Sequence, residues 1–206
     1  MSKVNEVLRL LQENYPEAST ALHYNNAFQL LVAVVLSARS TDQQINKITP
    51  VLFEKYGDAE SMAKATPADI EKIIKTCGLY KNKAQNLISL SQMLLEKYNG
   101  QVPQDINELM SLPGVGRKTA NVVVSNTFGQ PAIAVDTHVY RVSKRVGIAS
   151  GASVEEVERE LMNIIPRDLW TSTHHRLIIH GRNVCLAKNP RCRECFFNLI
   201  CTESSS

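Results

Sequence analysis

The chain has no apolar run long enough to cross a bilayer. Its longest, residues 30–36, has seven residues, against the ~18–20 a spanning helix needs. No apolar segment follows the opening Met-Ser-Lys-Val-Asn-Glu, so no secretory leader is read there. The expected setting is the cytoplasm, with no membrane partner. Glycine and proline are scarce, nine and eight residues among 206, which excludes collagen-like and low-complexity chains. No internal repeat and no linker interrupts the sequence. What remains is ordinary globular material: 44% apolar and 21% charged residues, enough for one or two domains that bury a core without disulfide staples.

Acids are missing where bases gather. Residues 169–193 contain Arg176, Arg182, Lys188, Arg191, Arg193, three histidines and no acid. Residues 111–147 hold Arg117, Lys118, Arg141, Lys144 and Arg145 against one acid, Asp136. The first 110 residues sum to a charge of −1 and the remainder to +4. Bases clustered in a nearly neutral chain fit a face that meets an anion, with a nucleic-acid backbone the usual candidate. A plain solvated surface fits the charge equally well.

The apolar residues recur at helical spacing almost throughout, which predicts an all-α protein. Val4, Val7, Leu8 and Leu11 form one stripe. Ala84, Leu87, Ile88, Leu95 and Tyr98 form another, with Lys81, Lys83, Gln85, Glu96 and Lys97 placed off it. Helices are expected over 3–14, 26–38, 42–56 (disturbed by Pro50), 67–76, 81–98, 105–110, 117–127, 137–146, 153–164 and 171–185. Thr66 before Pro67, Asp136 before Thr137, and Ser153 with Glu156 read as helix starts. Residues 122–124 are three valines with strand propensity, but they follow a glycine turn and have no hairpin partner, so they are assigned to a buried helix. Residues 132–135 are read as a short extended connector.

Four of the five cysteines, Cys185, Cys192, Cys195 and Cys201, fall within 17 residues. In a cytoplasmic chain a disulfide framework is disfavoured. Four thiolates in one short loop suit a tetrahedral zinc or an iron–sulfur cube. Only one Cys-x-x-Cys pair is present, and the loose 6-2-5 spacing leans toward [4Fe–4S]. Lys188, Arg191 and Arg193 sit inside this loop, so a centre that folds it would hold three bases against phosphates. Cys77 reads as a small buried apolar residue.

Residues 112–120 read Leu-Pro-Gly-Val-Gly-Arg-Lys-Thr-Ala. A helix must stop before Pro113, and a new one can start near Arg117. Its first N–H groups have no intrahelical partner and carry the positive end of the helix dipole, a ready seat for a phosphate. A plain helix–turn–helix corner explains a Gly-x-Gly alone; the nine-residue string is more specific.

That string resembles the helix–hairpin–helix of the base-excision DNA glycosylases. Ala-Val-Asp-Thr-His-Val at 134–139 is similar to their aspartate segment, and the cysteine spacing matches their endonuclease III branch. Leu-Ser-Ala-Arg-Ser-Thr-Asp at 36–42 and Gly-Leu-Tyr at 78–80 fit as well, so the likeness covers nearly the whole chain. It implies two helical domains with a [4Fe–4S] loop. One spans 20–130 and contains the hairpin at about 105–127; the other combines 1–19 with 131–206 and carries the cluster on the four cysteines. It implies a monomeric DNA N-glycosylase and abasic-site lyase, acting on double-stranded DNA that bears a damaged pyrimidine or an abasic site. The adenine and thymine mismatch glycosylases of the superfamily are the alternative, but they typically lack a lysine at the position of Lys118.

In the family, the residue matching Lys118 attacks C1′ of the deoxyribose, and the carboxylate matching Asp136 assists. Only an uncharged amine is nucleophilic, and burial, Arg117 and the helix start are the expected sources of an environment that favours it. The resemblance gives DNA contacts to Leu112, Gly114, Val115, Gly116 and Arg117, and to Lys188, Arg191 and Arg193 on the cysteine loop. Leu79 would wedge into the base stack. Arg39, where many relatives carry Gln, would fill the space left by a nucleotide turned out of the duplex. His138 and Asp42 are expected near the base pocket, with Asp42 also a candidate cap.

Overall fold

The structure, a computed structural model, describes residues 2–203. Among these it contains eleven α-helices and two short 3₁₀ turns, and no strand. The helices are α1 (Lys3–Asn14), α2 (Ala27–Ser37), α3 (Asp42–Lys55), α4 (Ala59–Ala63), α5 (Pro67–Ile74), α6 (Tyr80–Tyr98), α7 (Ile106–Ser111), α8 (Arg117–Thr127), α9 (Thr137–Val146), α10 (Val154–Ile164) and α11 (Trp170–Asn183). Two compact units divide the chain. One is continuous, Ala21–Gln130; the other joins Met1–Thr20 to Pro131–Ser206.

The continuous unit is built around α2. Every residue from Phe28 to Leu36 is buried, because a helix apolar on all sides can only sit at the centre of a bundle. Helices α3, α6 and α8 pack on it, α7 lies against α8, and α4 and α5 lie against α6. The three valines of α8 are helical and buried. Their β-branched side chains fill the contact with α2, so packing overrides local propensity. Helix α4 escapes the sequence pattern because five residues make little more than one turn and show no periodicity. Its start is set by Asp58, whose carboxylate accepts from the Ser61 N–H at 2.8 Å.

Two details of the helix faces differ from the periodicity reading. Leu95 points outward, and the buried face of α6 instead carries Leu90, Ser91 and Leu94 beside Ala84, Leu87 and Ile88. Lys83 also lies on that buried face, with 5% of its surface exposed. Apolar spacing alone places a lysine outside by default, so the assignment fails where a polar partner waits inside. Helix α3 runs on through Pro50 to Lys55.

The second unit has its own core, in which Val7, Leu8 and Leu11 of α1 meet Val139 and Val142 of α9, Val157 and Leu161 of α10, Leu177 of α11 and Phe197. The connector 132–135 has no regular structure, and all four of its residues are buried. Helix α10 opens with the capping box of Ser153 and Glu156.

His175 of α11 is buried, and desolvation pulls its imidazole down to about 4 from an ordinary 6.5. The folded unit therefore holds it neutral, while the unfolded chain takes up a proton below its ordinary value. Stability owed to the neutral ring is complete above about pH 6.5 and is lost as the pH falls toward about 4. Urea unfolding of His175→Gln should show a shallower acid-side decline than the parent chain over that interval.

Candidate functional site

The hairpin between α7 and α8 is fixed from both sides. Asp105 caps α7, its Oδ1 accepting from the N–H of Asn107 at 2.8 Å and of Glu108 at 3.0 Å. The helix closes on Leu112, whose N–H reaches the Leu109 carbonyl at 3.1 Å. Leu112 and Val115 are buried, at 2% and 7% exposure, so they anchor the turn through their side chains. The Val115 N–H goes to the Leu112 carbonyl at 3.1 Å. Both residues are therefore scaffold, and what they offer a ligand is reduced to backbone.

The two glycines do different work. Gly114 has φ +78°, and a Cβ there would stand 2.7 Å from Asn86 Nδ2 on α6. Conformation and close approach both demand glycine. Gly116 has ordinary extended backbone, and a Cβ there would meet nothing within 4 Å. Its effect is to leave α8 without an N-cap side chain and with open space in front of the helix start. Arg117 and Lys118 are the first two residues of α8, and both are exposed. The burial expected around Lys118 is thus not found: the residue is exposed.

Asp136 belongs to the second unit and opens α9. Its Oδ1 accepts from the N–H groups of His138 and Val139, each at 2.8 Å. His138 is half-buried, with its Nδ1 3.2 Å from Arg141 Nη2, and it packs where Gly181 of α11 leaves no room for a Cβ. Burial holds its imidazole below the ordinary value, with Asp136 opposing. Asp42 does not cap: Thr41 does, accepting from the Gln44 N–H at 3.2 Å, and Asp42 is the first residue of α3. A threonine hydroxyl one position earlier outcompetes the carboxylate because only the N-cap position aims a side chain at the N2 and N3 amides.

Arg39 and Leu79 share an unusual feature. Both are exposed and both occupy the left-handed region, at φ +59° and +58°. Arg39 follows the end of α2, and Leu79 immediately precedes α6.

The four clustered cysteines line one cavity of about 230 Å³ together with His180, Arg145 and Phe197. Among the described residues, no group of three His, Cys, Asp or Glu side chains converges to hold a single metal ion. Burial pushes the Cys195 and Cys201 thiols up, and the neighbouring cysteines add to the rise. His180 Nε2 lies 3.4 Å from Cys195 Sγ, and its Nδ1 lies 3.1 Å from the Tyr15 hydroxyl. The Arg145 guanidinium reaches the Leu186 carbonyl at 2.7 Å and lies 3.6 Å from Cys185 Sγ. Neither His180 nor Arg145 is marked by the cysteine spacing. The signal for each is a basic residue at helical spacing on the face that turns toward the loop. Lys188, Arg191 and Arg193 are exposed on this loop, and Cys77 is buried in the other unit.

An all-helical chain with a glycine-opened hairpin and a cysteine-lined cavity defines a narrow class. The HhH-GPD superfamily base excision DNA repair protein profile matches residues 32–167. Endonuclease III of Bacillus subtilis is 49% identical over 98% of this chain and 93% of its own length. That of Escherichia coli K12 is 45% identical over 95% and 93%. An endonuclease III trapped as a covalent intermediate with DNA superposes with a TM-score of 0.95 at 50% identity, covering 99% of this chain and 97% of that one. A thermostable thymine-DNA glycosylase shares the fold, with a TM-score of 0.84 at 24% identity over 98% and 96% of the two chains. The chain belongs to the endonuclease III family of this superfamily, whose members are base-excision DNA glycosylases and abasic-site lyases.

The contrast between the glycines is measurable. Gly114→Ala should lower unfolding stability by about 1–2 kcal/mol, since a left-handed alanine is strained and Asn86 must shift. Gly116→Ala should cost less, about 0.5–1 kcal/mol, and only because alanine is a poorer N-cap than glycine. Urea titrations of both variants test this.

Proposed function

We propose that this enzyme removes oxidised pyrimidines from duplex DNA and cuts the strand at the resulting abasic site, with Lys118 as the nucleophile. The carrying observation is an exposed lysine at the second position of a helix whose start is left open by Gly116. The amine nitrogen bonds to C1′ and the glycosidic bond breaks, the base leaving with its electron pair and a proton. Opening of the sugar ring gives an iminium at C1′. That cation acidifies C2′–H; loss of this proton expels the 3′ phosphate by β-elimination. Since Lys118 is exposed, water is excluded from the reaction by the nucleic acid closing over it.

Backbone amides of Gly114, Gly116 and the first turn of α8 seat a phosphate, with Arg117 beside them. Asp136 supplies a carboxylate for positive charge developing on the sugar. Capping α9 through Oδ1 holds that carboxylate in one orientation. His138, two residues on, is assigned to the base pocket. Leu79 and Arg39 enter the duplex where the target nucleotide has left it.

Cys185, Cys192, Cys195 and Cys201 hold a [4Fe–4S] cluster. One feature favours it over zinc: the cysteines surround a cavity rather than converge on a point. Its work is to fold the loop so that Lys188, Arg191 and Arg193 face phosphates. Purified protein should be brown with broad visible absorbance and contain iron; a colourless protein with stoichiometric zinc contradicts the assignment. Removing the metal should weaken duplex binding and make what remains less sensitive to salt, since fewer phosphates are then neutralised.

Borohydride trapping on a duplex with an abasic site or an oxidised thymine should cross-link the parent chain. The cross-link should vanish in Lys118→Gln and survive in Lys64→Gln, which alters only a surface pair with Glu60. Full cross-linking by Lys118→Gln removes the assignment. Asp136→Asn keeps a good N-cap, so it should retain stability and binding while losing most base release. Asp136→Ala should lose about 1 kcal/mol of stability as well.

A further inference from the structure

Lys83 is a buried lysine that the lyase chemistry does not use. It stands on α6, four residues after Leu79, with 5% of its surface exposed. Its ammonium donates to the Leu36 carbonyl at 2.8 Å and to the Ala38 carbonyl at 2.6 Å. These carbonyls belong to the C-terminal end of α2, where carbonyls lack intrahelical partners and the helix dipole is negative. The next residue is Arg39. Burial lowers the ammonium from its ordinary value, and the Cys77 thiol beside it opposes that shift.

The two loops also touch directly. A Cβ on Gly78 would stand 3.2 Å from the Arg39 carbonyl oxygen and 3.5 Å from Arg39 Cβ. Gln44, at the start of α3, donates from its side chain to the Thr76 carbonyl, joining the segments once more. Arg39 and Leu79 are each in a left-handed conformation that costs a non-glycine residue energy. Such strain persists only when the surroundings over-determine it. Two charge-assisted hydrogen bonds from one ammonium to the segment before Arg39, made by a residue one turn after Leu79, are such a determinant.

We infer that Lys83 is a positioning residue: it clamps the loop of Arg39 to the loop of Leu79, so that the two exposed side chains enter the base stack as one unit. This rests on the reading above, in which both side chains penetrate the duplex. The role makes a demand that simple structural support does not. It matters only when a stack has to be opened, not when the sugar is already accessible.

The test compares Lys83→Met with the parent chain on one abasic-site strand, presented as a duplex and as a single strand. A 2-aminopurine opposite the site reports unstacking by its fluorescence. The parent chain should cross-link both substrates under borohydride and raise the fluorescence of the duplex. Lys83→Met should lose about tenfold or more in trapping rate on the duplex, together with most of the fluorescence rise, yet stay within about twofold on the single strand. Equal losses on both substrates, or no loss on the duplex, overturn the proposal. If Lys83→Met does not fold, Gly78→Ala substitutes for it. That change widens the contact between the loops without touching the buried ammonium, and it should show the same selectivity at smaller size; no selectivity overturns the clamp. If the parent chain itself cross-links neither substrate, the lyase reading fails and the inference falls with it.

Discussion

A helix ends with amides at one terminus and carbonyls at the other that it cannot satisfy itself. How this chain settles those ends decides where its chemistry lies. Most are closed in the ordinary way, by Ser2, Asn26, Thr41, Asp58, Thr66, Asp105 and Ser153. Three are not. The carbonyls of Leu36 and Ala38 at the end of α2 are answered by a buried ammonium. The start of α6 carries a left-handed leucine with no side-chain cap. The start of α8 has a glycine and open space. The exceptions coincide with the segments to which nucleic-acid contacts are assigned.

Asp136 shows how an ordinary cap and the chemical role proposed for it are compatible. A carboxylate at the N-cap of α9 is held by two amides, so its direction is set before any substrate arrives. Preorganisation of this kind is gained without strain, because the helix needs the cap anyway.

Much of this was legible in the residues. The helices over 117–127 and 137–146 coincide with those read from periodicity and cap chemistry, and the valines of α8 are helical as reasoned. The sequence string 112–120 carries the hairpin because each of its constraints is local: a proline stop, a left-handed glycine, a fresh helix start. What was hidden depends on distant partners. Lys83 looks like a surface lysine until the end of α2, 45 residues earlier, is brought to it. Leu95 looks like core until the helices on its far side prove absent. Arg145 and His180 acquire their meaning only when the cysteine loop folds back over α9 and α11. The exposure of Lys118 could not be read at all, since nothing in a helix's first turn says what will later cover it.

Gly116 has one more implication. A serine or aspartate there would be a better residue for the protein alone, worth a few tenths of a kcal/mol over glycine as a cap, and nothing in the surrounding space forbids it. Yet that oxygen would occupy the place the proposed function assigns to a phosphate, and would compete with it there. On the function proposed, the fold forgoes that small stabilisation and leaves the start of α8 without a side-chain cap, the place in which a substrate phosphate would sit.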